Sequence, residues 1–196
     1  MEIKASQIAE LRGKTGLPMM ECKKALVEAQ GDEAKAIELL KKRGAIKAAS
    51  KSERSTKSGL IESYIHNGQM GVLLEVLTET DFVAKNEEFK EFVHDVALHI
   101  AASNPKYVKK EEIPAQELEK EKADLIEQVK SEGKSEEIAK KIVEGRLGKF
   151  YSEICLLDQP FVKDQDVTIG DLLTEKIAKI GENIIISRFV RFELGK

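Results

Sequence analysis

The sequence predicts an α+β fold, in which an N-terminal three-helix domain precedes a core made of a small, mainly antiparallel sheet covered by helices. Three features of the 196 residues indicate this fold. In residues 1–44, short stretches with the apolar spacing of helices are separated by glycines. Near residue 61 the spacing changes to period two, and Asn67-Gly68 supplies a strong hairpin signal. The run NIIISRFVRFEL near the C-terminus is β-branched and long enough for a last strand.

The N-terminal domain is expected to contain three short helices. The second is the clearest, because its apolar residues recur at i, i+3, i+4 and i+7, the spacing of one helix face: Cys22, Ala25, Leu26 and Ala29. Asp32 is a suitable N-cap for the third helix, and Gly44 is expected to end it. Residues 45–58 carry several Lys and Arg but no large apolar residue after Ile46, so a solvated linker is expected there. The predicted domains are therefore 1–44, a linker at 45–58, and an α+β core at 59–196.

The core is predicted to begin with a hairpin and to continue with helices. A period-two pattern stands on both sides of the turn. Before it, Ile61, Ser63 and Ile65 alternate with Glu62, Tyr64 and His66, and after it Val72, Leu74 and Val76 continue as the return strand. The helix that follows has one apolar stripe, formed by Phe89, Phe92, Val93, Val96 and Ile100. Thr168 and Asp171 form a capping-box-like pair before a later helix.

Composition limits the classes of function. Lys and Arg number 32 against 35 Asp and Glu, so the chain lacks the basic balance of a dedicated nucleic-acid binder. The basic run at 45–58 could contact phosphates, but scattered charges are more often a solvated tether. Two cysteines without metal spacing, and no apolar run of about 18 residues, lead us to expect a cytoplasmic protein that does not cross a membrane.

No nucleotide-binding or catalytic motif is complete. The fragments GKT at 13–15 and GKS at 133–135 lack the glycine that a phosphate loop needs five positions earlier, where Ile8 and Gln128 stand instead. His94 and His99 are five residues apart, so on a helix they would point about 140° from each other and could not clamp one metal. We therefore expect no enzyme activity, no metal and no cofactor.

Five ordered blocks resemble the elongation factor Ts family. TGLPMMECKKALVEAQGD, followed by LLKKRGAIKAASK, is similar to the family's ubiquitin-associated-like three-helix domain. GVLLEVLTETDFVAKNEEF is similar to its central signature. IAKKIVEGRLGKF, DQPFVKD and RFVRFELG resemble its core and C-terminal elements. Together these blocks extend over nearly the whole chain, which chance similarity does not explain.

The resemblance implies a guanine-nucleotide exchange factor that binds elongation factor Tu, both GDP-bound and nucleotide-free, without contacting nucleic acid directly. It also implies roles for particular residues. The segment that would disturb the partner's Mg²⁺ site is Thr80, Asp81, Phe82 and Val83. Phe82 would act as a wedge between partner helices, whereas without the resemblance a core position would be the better interpretation. Candidates for docking of the small domain are Met19, Met20 and Lys23.

Longer members of the family carry two copies of the core module, whereas this chain has room for one. The short form compensates by pairing two chains, so a homodimer is expected. Residues on the apolar terminal strand would then pack on a second copy: Ile184, Ile186, Val190 and Phe192.

Three other functions stay open at this point. A ubiquitin-associated-like adaptor would bind its partner without changing GDP release. An RNA-binding ribosome factor using residues 45–58 would show steeply salt-dependent affinity, which the acidic composition disfavours. A small hydrolase is the most distant alternative.

Overall fold

The computed structural model describes residues 3–131 and 136–196, and within them the chain is α+β, as the sequence predicts. The helices are α1 (Ala5–Thr15), α2 (Met19–Glu28), α3 (Glu33–Ala49), α4 (Asp81–Ala84), α5 (Glu87–Ser103), α6 (Ala115–Ser131), α7 (Glu136–Ile154) and α8 (Ile169–Ile180). The strands are β1 (Ser58–His66), β2 (Met70–Thr78), β3 (Pro160–Phe161), β4 (Asp164–Thr168) and β5 (Ile184–Glu193). The GKS fragment at 133–135 lies outside the described residues. No helix in the described ranges is both long and apolar enough to span a bilayer.

The first three helices pack around one small apolar cluster. Its buried members are Ile8, Leu11, Cys22, Ala25, Leu26, Ala29, Ala36 and Leu40. The predicted cap of α3 is confirmed, because the Asp32 carboxylate accepts a 3.1 Å hydrogen bond from the backbone N–H of Lys35. Gly16 ends α1 with a left-handed φ of 66°, a conformation that costs glycine little. The predicted inner face of α2 is thus the face that this cluster buries.

The third helix is longer than predicted. Gly44 does not end it, since α3 continues to Ala49. Gly44 is instead buried within the helix, where a Cβ would lie 3.5 Å from the Cβ of Ala178. A glycine inside a helix costs roughly 1 kcal/mol of propensity, but here its small size permits close packing. The predicted boundaries at 1–44, 45–58 and 59–196 stay a prediction.

The main sheet is antiparallel and has the strand order β1-β2-β5. Asn67 and Gly68 both have positive φ, 49° and 67°, so the predicted hairpin turn between β1 and β2 is confirmed. The Leu194 N–H donates to the Gln69 carbonyl, which brings the end of β5 beside the start of β2 and makes that pair antiparallel as well. A separate antiparallel ribbon joins β3 and β4.

Helix α5 covers one face of the sheet. All five residues of its predicted stripe are at most 1% exposed: Phe89, Phe92, Val93, Val96 and Ile100. From α5, His94 contacts the ring of Tyr64 edge-on at 5.7 Å and lies 3.2 Å from the Glu62 carboxylate. The Arg191 guanidinium of β5 donates to the Ala101 carbonyl of α5. The sheet face that bears Glu62 and Tyr64 is therefore the face directed at this helix.

Contacts between Cα positions divide the chain into two compact units. The first consists of Met1–Gly59, Leu77–Phe89 and Leu173–Ile185. The second consists of Leu60–Val76, Lys90–Leu172 and Ile186–Lys196. Each unit therefore assembles segments that are distant in sequence.

In the second unit, a buried histidine links α5 to the β3–β4 ribbon. His99 is fully buried, and its Nδ1 accepts a hydrogen bond from the Val162 N–H, so Nε2 carries the proton and donates to the Gln159 carbonyl oxygen at 2.9 Å. The Gln159 amide in turn donates to the Glu153 carbonyl. Burial lowers the pKa of His99 from its ordinary 6.5, although the hydrogen bond to Gln159 offsets part of this effect. The folded state therefore holds His99 neutral.

This arrangement predicts a stability that decreases in mild acid. Below about pH 6.5 the unfolded chain protonates His99 while the folded chain does not, so the free energy of unfolding falls as the pH falls toward the lowered folded pKa. One proton gives a slope of at most about 1.4 kcal/mol per pH unit. Urea unfolding between about pH 5 and pH 7 measures this slope, which should flatten in His99→Gln and persist in the exposed control His66→Gln. Equal slopes in wild type and His99→Gln would contradict the assignment.

Candidate partner-binding site

A short segment between β2 and α5 holds Thr80, Asp81, Phe82 and Val83, the residues to which the family resemblance assigns a role. Thr80 is extended, with φ −126° and ψ 158°, and the single turn of α4 follows directly. The turn is closed by backbone hydrogen bonds from Ala84 to Thr80 and from Lys85 to Asp81. Asn86 then accepts a 2.7 Å hydrogen bond from the Glu88 N–H and caps α5. The segment is thus a defined corner between a strand and a helix.

Phe82 projects from this corner into solvent. It is 82% exposed, so the interpretation of Phe82 as a core residue is wrong. The physical reason is that α4 is a single four-residue turn without any buried residue, so Phe82 points away from the core. A ring that an ordered backbone holds in solvent offers a partner a large contact area at a small loss of conformational entropy. Val83, beside it, is half-buried.

The charge beside Phe82 is already partly neutralised. The Asp81 carboxylate lies 2.8 Å from the Lys85 ammonium, an i, i+4 pair on the surface. The hydrogen bond from Lys85 lowers the pKa of Asp81 below its ordinary value. Asp81 is therefore ionised at neutral pH and available to a cationic or hydrogen-bond-donating partner group at little cost.

Thr80 is held by a carboxylate that is distant in sequence but belongs to the same unit. Its N–H and its hydroxyl both donate to the Glu182 carboxylate, at 3.0 and 2.7 Å. Glu182 stands in the turn between α8 and β5, about a hundred positions away in sequence. Sequence reasoning missed Glu182, because no local pattern connects a lone glutamate after Gly181 with Thr80.

The second candidate region is the exposed side of α2. Met19 and Met20 are 51% and 61% exposed, which agrees with their position outside the apolar face of this helix. Lys23 is also exposed. Val27, which the sequence reasoning did not select, is 56% exposed and lies seven residues after Met20, on the same side of the helix. That spacing was the signal that could have identified it.

A third region is the sheet face opposite α5, here termed the open sheet face and defined by Ile61, Ile65, Leu73, Val190 and Phe192. Each of these five side chains is at least 41% exposed. Ile61, Leu73 and Val190 line one shallow groove, and Ile65 and Phe192 line another. An apolar surface of this kind on an ordered sheet is typical of a protein-protein interface.

The prediction that Ile184 and Ile186 would pack on a second copy is wrong. They are 2% and 4% exposed and belong to the core of the chain itself. The alternation of buried and exposed residues along β5 changes phase at Ser187 and Arg188, and both of these side chains donate to the Glu75 carboxylate. Even-numbered residues are therefore buried before this point and exposed after it.

The chain is similar to known proteins over all the regions described above. Residues 90–196 match a family model described as Elongation factor TS. The chain is 62% identical over 196 residues to elongation factor Ts of Alkaliphilus oremlandii, covering 100% of this chain and 91% of that protein. It is 61% identical to elongation factor Ts of Alkaliphilus metalliredigens over 196 residues, with the same coverage. It is 54% identical over 197 residues to elongation factor Ts of Fervidobacterium nodosum, covering 100% of both chains. The family model begins after the Thr80–Val83 corner, whereas these full-length matches include that corner and α2.

Proposed function

Because this chain belongs to the elongation factor Ts family, we propose that it is a guanine-nucleotide exchange factor of translation elongation. Its partner is elongation factor Tu, which it binds in both the GDP-bound and the nucleotide-free form, and it works in the cytoplasm where protein synthesis takes place. It breaks no covalent bond and is not an enzyme in that sense. It acts only through the difference between its affinities for the two partner states.

The energetics of such a factor follow from linkage. An exchange factor that binds nucleotide-free partner more tightly than GDP-bound partner weakens GDP binding by the same factor. Each tenfold reduction of GDP affinity requires about 1.4 kcal/mol of this preference. The preference must come from contacts that are formed fully only when the nucleotide site is distorted.

The observation that carries the proposal is the exposed ring of Phe82 on the Thr80–Val83 corner. A rigid aromatic ring buries a large area for a small loss of conformational entropy, so it can act as a wedge between partner helices. Asp81 brings a negative charge beside it, and Thr80 and Val83 fix the corner on either side. In this mechanism the corner disturbs the partner's Mg²⁺ and phosphate site, on which tight GDP binding depends.

The direct test is the release of a fluorescent GDP analogue from elongation factor Tu in a stopped-flow instrument. Addition of this chain is expected to increase the release rate, and the rate should saturate as the chain is titrated. Binding without acceleration would contradict the proposal and favour the adaptor alternative. An affinity for RNA that depends steeply on salt would favour the ribosome-factor alternative.

The exposed side of α2 is proposed to dock on the GTPase domain of the partner. Met19 and Met20 are suited to this, because unbranched thioether side chains adapt to an irregular surface, and Lys23 would contribute a rim charge. Apolar side chains exposed on the same helix face, including Val27, extend the contact area.

Replacement of both Met19 and Met20 with Ala is expected to weaken binding to nucleotide-free partner by roughly 1–3 kcal/mol, the usual cost of truncating interface side chains. Titration calorimetry measures the change. Ile126, which is 43% exposed on α6, provides a matched control, and Ile126→Ala should bind normally. Unchanged affinity in a folded double variant would remove Met19 and Met20 from the interface.

The working form is proposed to be a two-fold homodimer that pairs the open sheet faces of two copies. The open sheet face is an apolar surface made of strand residues, which a second copy of the chain can cover. A two-fold axis requires a self-complementary surface, and a flat apolar sheet face is such a surface because the same side chains can interdigitate from both sides. One partner molecule would then bind to each copy.

A further inference from the structure

Three side-chain hydrogen bonds converge on Glu182 in the first unit. Its Oε2 accepts from the Thr78 hydroxyl at 2.9 Å and from the Thr80 N–H at 3.0 Å. Its Oε1 accepts from the Thr80 hydroxyl at 2.7 Å. Partial burial would by itself raise the pKa of Glu182, but the hydrogen bonds from Thr80 and Thr78 outweigh it and the pKa is lowered. The carboxylate is therefore ionised, and both of its oxygens face the strand that leads into the Phe82 corner.

The segment before Phe82 and the turn that carries Glu182 are hydrogen-bonded in both directions. The Asn183 N–H donates to the Glu79 carboxylate at 2.6 Å, so each of the two segments supplies a carboxylate to the other. The Asn183 side chain also donates to the Arg54 carbonyl at 3.0 Å. The turn that carries Glu182 is thus itself fastened, and it can act as a fixed support for Thr80.

Phe82 has no comparable support of its own. With 82% of its surface exposed, few packing contacts hold its direction, so that direction depends on the backbone that precedes it. Thr80 is the residue at which the chain leaves β2 and enters α4, and its N–H and hydroxyl both bind Glu182. A contact residue that is already oriented loses less conformational entropy on binding, which strengthens its effect in the complex.

We infer that Glu182 is a positioning residue for nucleotide exchange: by holding Thr80, it fixes the corner that presents Phe82 to the partner. This inference rests on the proposed exchange function. It differs from a purely structural role because the effect of Glu182 on exchange passes through Phe82. A structural role would act on exchange whether or not the ring is present.

The test is a double-mutant cycle with Glu182→Ala and Phe82→Ala, read by GDP release from elongation factor Tu at a saturating concentration of the variant. Glu182→Ala is expected to slow release about tenfold when Phe82 is present, the scale of a lost charge-assisted hydrogen bond. In the Phe82→Ala background the same change should slow release less than about twofold, because the group it positions is absent. Glu175→Ala, the same change at an exposed position of α8, is the matched control and should leave release unchanged.

Equal slowing in both backgrounds, or no slowing in either, would overturn the inference. If Glu182→Ala does not fold, Glu182→Gln keeps the size and one carbonyl acceptor and should give the same pattern with smaller amplitude. Amide hydrogen exchange of residues 80–85 provides a readout that is independent of the partner, and it should become faster in either Glu182 variant. If wild type failed to accelerate GDP release, the proposed function would fall, and unchanged amide exchange would separately show that Glu182 does not position the corner.

Discussion

Phe82→Ala is expected to slow exchange about a hundredfold while leaving the chain folded. A ring buried in a partner surface contributes a few kcal/mol, and a loss of about 2.8 kcal/mol corresponds to a hundredfold change. Because Phe82 is 82% exposed, its truncation opens no cavity in this chain, and the melting temperature should stay close to that of wild type. GDP release and thermal unfolding, measured on the same preparation, test both statements.

Two further variants show which property of the corner matters. Phe82→Leu keeps an apolar side chain but loses the flat ring, so an intermediate rate is expected. Asp81→Asn keeps the size and removes the charge and the ion pair with Lys85, and it tests whether the carboxylate acts electrostatically. A Phe82→Ala variant with a normal release rate would end the wedge mechanism, whatever its stability.

Phe192→Glu is expected to convert the proposed dimer to a monomer. Phe192 is 71% exposed on the open sheet face, so the substitution adds a charge without disturbing the core of the chain. A two-fold dimer carries the substitution twice, and an unpaired charge in an apolar interface costs several kcal/mol. The dissociation constant of the dimer should therefore increase at least a hundredfold, since about 2.8 kcal/mol already suffices for that factor.

Sedimentation equilibrium or light scattering over a range of concentrations measures the change in mass. Ile126→Glu introduces the same charge at an exposed apolar position on α6, outside the open sheet face, and should leave association unchanged. A wild-type chain that stays monomeric at micromolar concentration, alone and with elongation factor Tu, would contradict the dimer.

Local sequence patterns predicted the elements whose causes are local. Asn67 and Gly68 tolerate the positive φ angles of a tight turn, and the apolar spacing of α5 follows directly from helix periodicity. Gly44 was misjudged because its effect depends on Ala178, a residue that packs against it from far along the chain. A glycine is a helix terminator by propensity, but tertiary packing can override that propensity.

The candidate site shows the same difference between features with local causes and features that depend on residues distant in sequence. Exposure of Met19 and Met20 followed from the helix face that Cys22 and Leu26 define. Exposure of Phe82 did not follow from any pattern, since an aromatic residue after an apolar strand is usually buried. The contact between Thr80 and Glu182 spans 102 positions, and a single sequence carries no signal for a pairing at that distance.

Because the burial pattern of β5 changes phase, residues of this one strand contribute to two different equilibria, folding and association. Ile184 and Ile186 contribute to folding of the single chain, which is unimolecular, so a polar substitution there lowers the monomer's free energy of unfolding by the same amount at every protein concentration. Val190 and Phe192, under the proposed pairing, contribute to association, which is bimolecular, so raising the concentration should compensate for a substitution there. The dependence on protein concentration should therefore distinguish substitutions in the first half of this ten-residue strand from those in the second half. This experiment does not require the partner protein.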